Sequence, residues 1–426
     1  MTPPTRTPTT SPMTGAAASA ARRDRARHRP AVTPDLLAGL AGRLTARDRW
    51  LLGMLAEHRV LTTTQITGLA FRGARRQAER RLAGLWAWRC VDRFRPHTPR
   101  GAGSAPFHWV LDDAGAAVLA AAHRITAREF GHHRATALGI SHSQRLAHTV
   151  GTNTLLAALA APTSRADGTG TGSSSAEGSA SGRLVTWWGE RRCAAAWGDL
   201  ARPDAAGTWE APGGATMGFA VEYDTGTEAL PRVARKLADY ADLAAAVGHI
   251  LPVLFWLPSI AREAALHRQL DPTGLLVATA TAEHAATAGG PTRQVWRPAA
   301  PAGPGHRGIR QGRVTLDQLT TDWATTDWAA TTRGTMTGAA FGALPIATVD
   351  VGLGWPAPDP LPPPQHPVPS GADPHGADPS GADPGGANRS GVHNGADVET
   401  GGGAKTGSGS GSEDRGRGRA GRSWES

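Results

Sequence analysis

Arg202-Pro203-Asp204, followed by Glu222-Tyr223-Asp224 and then by Lys236, is the stretch on which the reading of this chain turns. Asp204 sits where a strand begins after Pro203, a residue that cannot donate to a ladder and so favours a strand's first position. In the next strand, over 217–223, side chains alternate. Phe219 and Val221 face one way, while Glu222 and Asp224 face the other, roughly 7 Å apart. Three carboxylates at adjacent strands, Asp204, Glu222 and Asp224, make a candidate Mg²⁺ site, because a hard octahedral cation takes few protein oxygens and keeps places for water and a phosphate oxygen. Lys236 falls on the following helix, over 228–247, at the edge of its stripe of Leu230, Val233, Leu237 and Tyr240. An ammonium there can steer a nucleophile or neutralise developing charge. Of 45 Lys and Arg residues only Lys236 and Lys405 are lysine. Catalytic roles are expected of Asp204, Glu222, Asp224 and Lys236. A structural account stays open beside them, with Asp204 ending a turn, Glu222 paired with Arg232, and Glu228 completing a capping box with Thr225.

Around this group strands at 184–188, 217–223, 249–257 and 275–280 interleave with helices at 228–247 and 261–270. That alternation makes an α/β layer.

The N-terminal part differs in charge. Between Ala21 and Arg100 there are 18 Arg, no Lys and 6 acidic residues, a net +12 in a chain whose total is +9. The Ala, Arg and Gly bias resembles high-GC coding, so the uneven distribution carries the argument and the total does not. Such a basic half is the footprint of a module that binds a polyanion. Thr45 caps a helix running to about His58, with Asp48 at its third position and Trp50, Leu51, Met54 and Leu55 on its apolar face. Thr63 or Thr64 starts a short second helix that Gly73 breaks. The third helix, over 74–88, buries Ala78, Leu82, Leu85 and Trp86, and sets Arg72, Arg76 and Arg80 four apart along another side, next to Arg75 and Arg81. A strand at 90–94, a loop carrying Arg95 and Arg100, a returning strand at 107–111 and a helix capped by Asp112 or Asp113 complete the order of a winged helix-turn-helix. In that geometry the third helix enters the major groove of double-stranded DNA and the wing lies on its phosphates. The same arginines also describe the solvated face of a winged helix that docks a protein, and that alternative stays open.

Two cysteines, Cys90 and Cys193, give neither a disulfide framework nor a metal quartet, and a reducing cytoplasm is expected. The apolar runs at 155–161 and 250–257 are too short to span a bilayer, and the start of the chain has no apolar leader. His132, His133, His142 and His148 lack the i, i+4 spacing of a helical zinc site and read as surface or core histidines. The paired Thr321-Asp322-Trp323-Ala324 and Thr326-Asp327-Trp328-Ala329 is read as replication slippage, with a Trp-anchored docking segment as the alternative.

Over roughly 44–270 the chain resembles the replication-relaxation family of bacterial plasmids and integrative elements. The resemblance runs through Leu44-Thr45-Ala46-Arg47-Asp48, Phe107-His108-Trp109-Val110-Leu111-Asp112-Asp113-Ala114-Gly115, Arg202-Pro203-Asp204, and Glu222-Tyr223-Asp224-Thr225-Gly226-Thr227-Glu228 with Lys236-Leu237 and Tyr240. It implies a part in replication or DNA relaxation of a mobile element, acting at an origin or transfer site, with other replication or transfer proteins of that element as candidate partners. A homodimer is left open. The acidic group is similar to the PD-(D/E)xK nuclease superfamily, with Pro203-Asp204 as the PD pair and Glu222 as the second acid. Asp224 stands where the lysine belongs, Lys236 serves from the next helix, and Glu190 is the nearest substitute for the superfamily's acid on the preceding helix. This implies a Mg²⁺-dependent endonuclease or nickase. The competing function is a non-catalytic transcriptional regulator or adaptor with an inactive nuclease-like domain. A tyrosine-dependent relaxase is disfavoured, since Tyr223 and Tyr240 are the only tyrosines and no His-x-His triad accompanies them.

The expected fold is α+β and multidomain: a disordered basic arm (1–35), a winged helix-turn-helix (36–125), connecting helices (126–161), a flexible linker (162–182), an α/β nuclease-like domain (183–300), a poorly defined extension (301–354) and a disordered Pro/Gly-rich tail (355–426).

Overall fold

Thr33 opens the first helix, α1 (Pro34–Arg43), by accepting the Leu36 N–H at 3.2 Å, with Pro34 in the first turn where its missing donor costs nothing. The computed structural model describes residues 31–96, 98, 103–161, 181–271, 275–299, 312–324, 346 and 351–364, all within one unit, residues 1–366. The basic arm, Arg100, the linker at 162–180, the second Thr-Asp-Trp-Ala copy, Lys405 and the tail beyond 364 lie outside the described residues.

In α2 (Ala46–His58) the expected capping box is present: Thr45 Oγ1 accepts from Asp48 N at 3.2 Å and Asp48 Oδ2 accepts from Thr45 N at 2.7 Å. A short strand, β1 (Leu61–Thr62), precedes α3 (Thr63–Phe71), whose box is made by Thr62 and Gln65, one residue before the expected cap. Arg72 in the left-handed region and Gly73 at φ 83° turn the chain into α4 (Arg75–Ala87). Then come β2 (Val91–Phe94), β3 (His108–Leu111) and α5 (Asp113–Ala122), which Asp112 caps. These strands pair antiparallel in the order β1-β3-β2, with Leu61 opposite Trp109 and Val91 opposite Leu111.

The stretch expected to be connecting helices is broken into α6 (Ala127–Phe130), α7 (Arg134–Gly139), a 3-10 turn (Ile140–His142) and α8 (Leu146–Ala160). A six-stranded mixed sheet follows in the order β4-β5-β6-β7-β8-β9: β4 (Arg183–Gly189), β5 (Ala205–Glu210), β6 (Thr216–Tyr223), β7 (Val253–Leu257), β8 (Val277–Thr281) and β9 (Arg297–Ala299). The first three strands and the last are antiparallel to their neighbours, while β6, β7 and β8 are parallel. Parallel pairs need crossovers. These are α10 (Leu230–Val247) and α11 (Ile260–His267); α9 (Glu190–Trp197), α12 (Ala282–Ala288) and α13 (Leu316–Ala324) complete the layers.

Alternation along β6 is as expected. Phe219 and Val221 join Trp187, Trp209 and the Leu316, Leu319 and Trp323 side chains of α13, while Ala220 faces Phe255 and the Val233, Leu237 and Tyr240 stripe of α10. Trp323, in the first repeat copy, is therefore a core anchor. The first of these cores runs through Leu155, Leu156 and Leu159 of α8 into the N-terminal core, so the two halves share apolar interior. A buried ion pair joins them too: Arg192 Nη2 of α9 lies 2.9 Å from Glu57 Oε2 of α2. The start of the expected tail is placed across this junction, where Trp50 Nε1 donates to Asp359 O at 2.7 Å and Arg192 to Trp355 O at 3.2 Å. The Pro-rich composition hid these anchors because both are backbone carbonyls, which carry no mark in the sequence.

Candidate functional site

Asp204 stands immediately before β5, its N–H bonded to Val221 O at 3.1 Å and its Oδ2 accepting from Tyr223 N at 2.9 Å. Its other oxygen, Oδ1, lies 2.8 Å from His148 Nε2 on α8. Gly151, one turn on, lets α8 approach this edge: a Cβ there would come within 2.3 Å of the Tyr223 ring. Glu222 is buried near the end of β6 and points to α10, where Lys236 Nζ lies 2.7 Å from Oε2 and Tyr240 Oη donates to Oε1 at 2.5 Å. Lys236 and Tyr240 are four residues apart on one helix, so they share a face and grip both oxygens of one carboxylate.

The electrostatics follow from burial. Removal from water, and next the Asp204 charge, push Glu222 up to about 7 against the pull of Lys236 and Tyr240. Burial acts to lower Lys236, but Glu222 and Asp204 outweigh it and hold the ammonium above its usual range. Tyr240 is pushed far up by burial and by Glu222, so it serves as a neutral donor. Burial likewise acts to lower His148, and Asp204 overrides it, leaving the imidazole easier to protonate than usual.

Asp224 is placed differently from the other two carboxylates. It lies just past the last residue of β6, and Arg262 of α11 forks onto it through Nε and through Nη2, the latter 3.0 Å from Oδ1; Gly226 N donates to Oδ1 at 2.7 Å. Neither structural alternative for Glu222 and Glu228 is formed. Arg232 pairs with Glu228 at 2.9 Å, and α10 begins after Ala229 with no side-chain cap, while Glu228 Oε2 sits 3.7 Å from Lys236. Glu190 pairs with Arg145 at 2.6 Å.

Among the described residues no group of three or more His, Cys, Asp or Glu side chains is arranged to hold a metal ion. The carboxylates that feel each other are Asp204 and Glu222, and Mg²⁺ commonly takes only one or two from a protein. Both carboxylates are engaged by the protein itself, Glu222 by Lys236 and Tyr240 and Asp204 by Tyr223 N and His148, while Asp224 is held apart by Arg262. His148 and Tyr240 are the neighbours that sequence reasoning did not assign. The i, i+4 spacing of Lys236 and Tyr240 was a usable signal for the second; nothing in the sequence pointed His148 at Asp204.

The arginines at 72–81, Arg72 in the turn before α4 and the others on α4 itself, divide into two sets. Arg72, Arg75, Arg76 and Arg80 are exposed, and of these Arg75 pairs with Glu79 at 2.8 Å. Arg72, Arg76 and Arg80 have no acidic partner among the described residues. Arg81 turns inward instead: its Nε donates to the buried Asp48 at 2.8 Å and its Nη2 to Arg43 O at 3.0 Å. On the hairpin, Arg95 is exposed with its guanidinium 4.0 Å from the Phe107 ring centre, and Arg93 lies 4.2 Å from the same ring.

Residues 52–251 match the model of a family described as replication-relaxation, which supports the family that the sequence resembles. No curated protein and no solved structure matches the chain. Among the described residues no helix is long and apolar enough to cross a membrane.

Proposed function

We propose that this chain is a double-stranded-DNA-binding protein of the replication-relaxation type, its N-terminal half a winged helix-turn-helix that acts at an origin or transfer site of a plasmid or integrative element. The observation that carries this reading is the division of the arginines at 72–81: the fold uses Arg81 internally and leaves Arg76 and Arg80 of α4, with Arg72 in the turn before it, exposed without an acid to neutralise them. Guanidinium forks suit both phosphate and guanine, and the third helix is the element that enters the major groove in such modules. Arg75 and the hairpin's Arg95 extend the basic surface. Titration of labelled duplex with the Arg76→Ala, Arg80→Ala double variant tests the reading; unchanged affinity removes α4 from the interface.

A second reading, Mg²⁺-dependent cleavage on a PD-(D/E)xK-like domain, is favoured by the convergence of Lys236 and Tyr240 on Glu222 beside Asp204. Asp204 and Glu222 would hold the cation, which lowers the pKa of a bound water and polarises a phosphodiester. Around them, Tyr240 and Lys236 fix Glu222 by both oxygens, His148 orients Asp204, and the charged Lys236 stands ready for a phosphate oxygen. Supercoiled plasmid incubated with Mg²⁺ or Mn²⁺ is expected to give nicked or linear product, lost in Asp204→Ala. Intact plasmid across both metals leaves the second domain as a docking element of a non-catalytic regulator.

A further inference from the structure

A cavity of about 460 Å³ lies where α2, α6, α7, α9 and the segment 351–364 meet, and it shares no residue with the carboxylate group or the α4 face. Its size falls within the range of about 300–1,000 Å³ usual for small-ligand sites. Three chemistries converge on it. Phe130 and Trp355 form an aromatic wall, ring centres 4.9 Å apart. Arg59 and Arg191 are exposed at the rim with no acidic partner among the described residues, and the one acid in the lining, Glu190, is already neutralised by Arg145 at 2.6 Å. His132, only 12% exposed, leaves Nε2 without a hydrogen-bond partner, its nearest acid oxygen on Asp113 being 4.0 Å away.

Arg59 adds an independent observation. It has φ 66° and ψ −46°, a γ-turn of the rare, strained kind, closed by Val60 N donating to His58 O at 2.7 Å. Asn153 Nδ2 locks the turn by donating to His58 O at 3.1 Å and to Val60 O at 2.8 Å. A glycine would adopt this backbone without strain, so the arginine side chain is carried at the cavity rim at a cost in stability.

We propose that this cavity binds a mononucleotide, its phosphates held by Arg59 and Arg191 and its base stacked on Trp355, with His132 supplying a hydrogen bond. A planar aromatic group joined to an anion satisfies the wall and the rim together, which a free phosphate or a purely apolar ligand does not. Trp355 comes from the segment 351–364, so the ligand also fastens that segment to the rest of the fold.

Calorimetric titration of the full chain with ATP, AMP, adenosine and inorganic phosphate tests this. Saturable binding of ATP and AMP is expected, with adenosine and phosphate each at least about tenfold weaker. Arg191→Ala and Arg59→Gly are each expected to weaken ATP binding about tenfold. Arg59→Gly also separates ligand recognition from folding: relief of the γ-turn raises Tm while affinity falls, whereas a purely structural arginine gives a changed Tm and unchanged affinity. No saturable binding of ATP or AMP overturns the proposal, and so does binding that survives both substitutions.

Discussion

Lys236 Nζ lies 2.7 Å from Glu222 Oε2, one turn of α10 below the tyrosine that holds the other oxygen. The pair is asymmetric, because the glutamate is buried and the lysine reaches solvent. Glu222 is raised from an ordinary 4.5 to about 7, so the folded state binds its proton more tightly than the unfolded chain does. Stability from this group is therefore fully present below about pH 4.5 and is lost as pH rises through about 7. The loss is on the order of 3 kcal/mol. Glu222→Gln is expected to remove that part of the slope in urea denaturation between pH 5 and 8, and Lys236→Met to steepen it. A Gln variant with the parent's slope would contradict the assignment.

His58 carries the opposite sign. Its ring is stacked on Trp187 at 4.0 Å with neither nitrogen hydrogen-bonded, and burial, then Arg192, push it down to about 3. Above the unfolded pKa of 6.5 the imidazole is neutral in both states and adds no pH dependence, and stability drains away as pH falls from there toward 3. The full effect reaches about 5 kcal/mol. His58→Phe keeps the stack and loses no hydrogen bond, so its advantage over the parent should grow steadily from pH 7 to pH 4 in thermal melts. Equal Tm shifts at both pH values would show that the histidine is not buried between the two halves.

Local signals made much of the fold legible. Thr45 with Asp48, the left-handed Gly73, and the apolar stripe of α10 each act within a few residues, and each was readable. The alternation that set Glu222 apart from Phe219 and Val221 is equally local. What escaped were contacts made across long stretches of chain. Nothing near His148 points to Asp204, and nothing in the Pro-rich segment announces that Trp355 and Asp359 seat against α9 and α2. Asp224 is placed apart from Glu222 for a sharper reason: strand alternation stops where the strand stops, one residue earlier at Tyr223, and Arg262 from a later helix captures the carboxylate.

Capture by Arg262 separates two roles that the sequence had merged. Asp224 and Arg262 are both largely buried, so Arg262→Met leaves an unpaired acid and is expected to cost about 3 kcal/mol. Asp224→Asn, which keeps most hydrogen bonds, should cost less. If plasmid cleavage occurs, Asp224→Asn should retain most of it while Asp204→Asn and Glu222→Gln lose it by at least about a hundredfold. Equal losses in all three variants would restore Asp224 to the metal set.

Arg81 and Arg76 sit five residues apart on α4 yet should respond to substitution in opposite ways. Asp48, 1% exposed, is held below its usual carboxylate range because the Arg81 and Thr45 hydrogen bonds outweigh the cost of its burial. Arg81→Ala strips that partner away and is expected to cost about 2–4 kcal/mol in denaturant unfolding. Its effect on duplex affinity, measured well below Tm, should be small, since the guanidinium is committed inward. Arg76→Ala with Arg80→Ala should leave Tm within about 0.5 kcal/mol equivalent of the parent, as exposed residues without partners contribute little. Affinity should fall instead, and the slope of log K against log salt should flatten by about 2, one for each phosphate contact removed. The crossing of the two phenotypes is the test: a double variant that unfolds the protein, or an Arg81 variant that flattens the salt slope without loss of stability, would exchange the roles assigned to the two sides of α4.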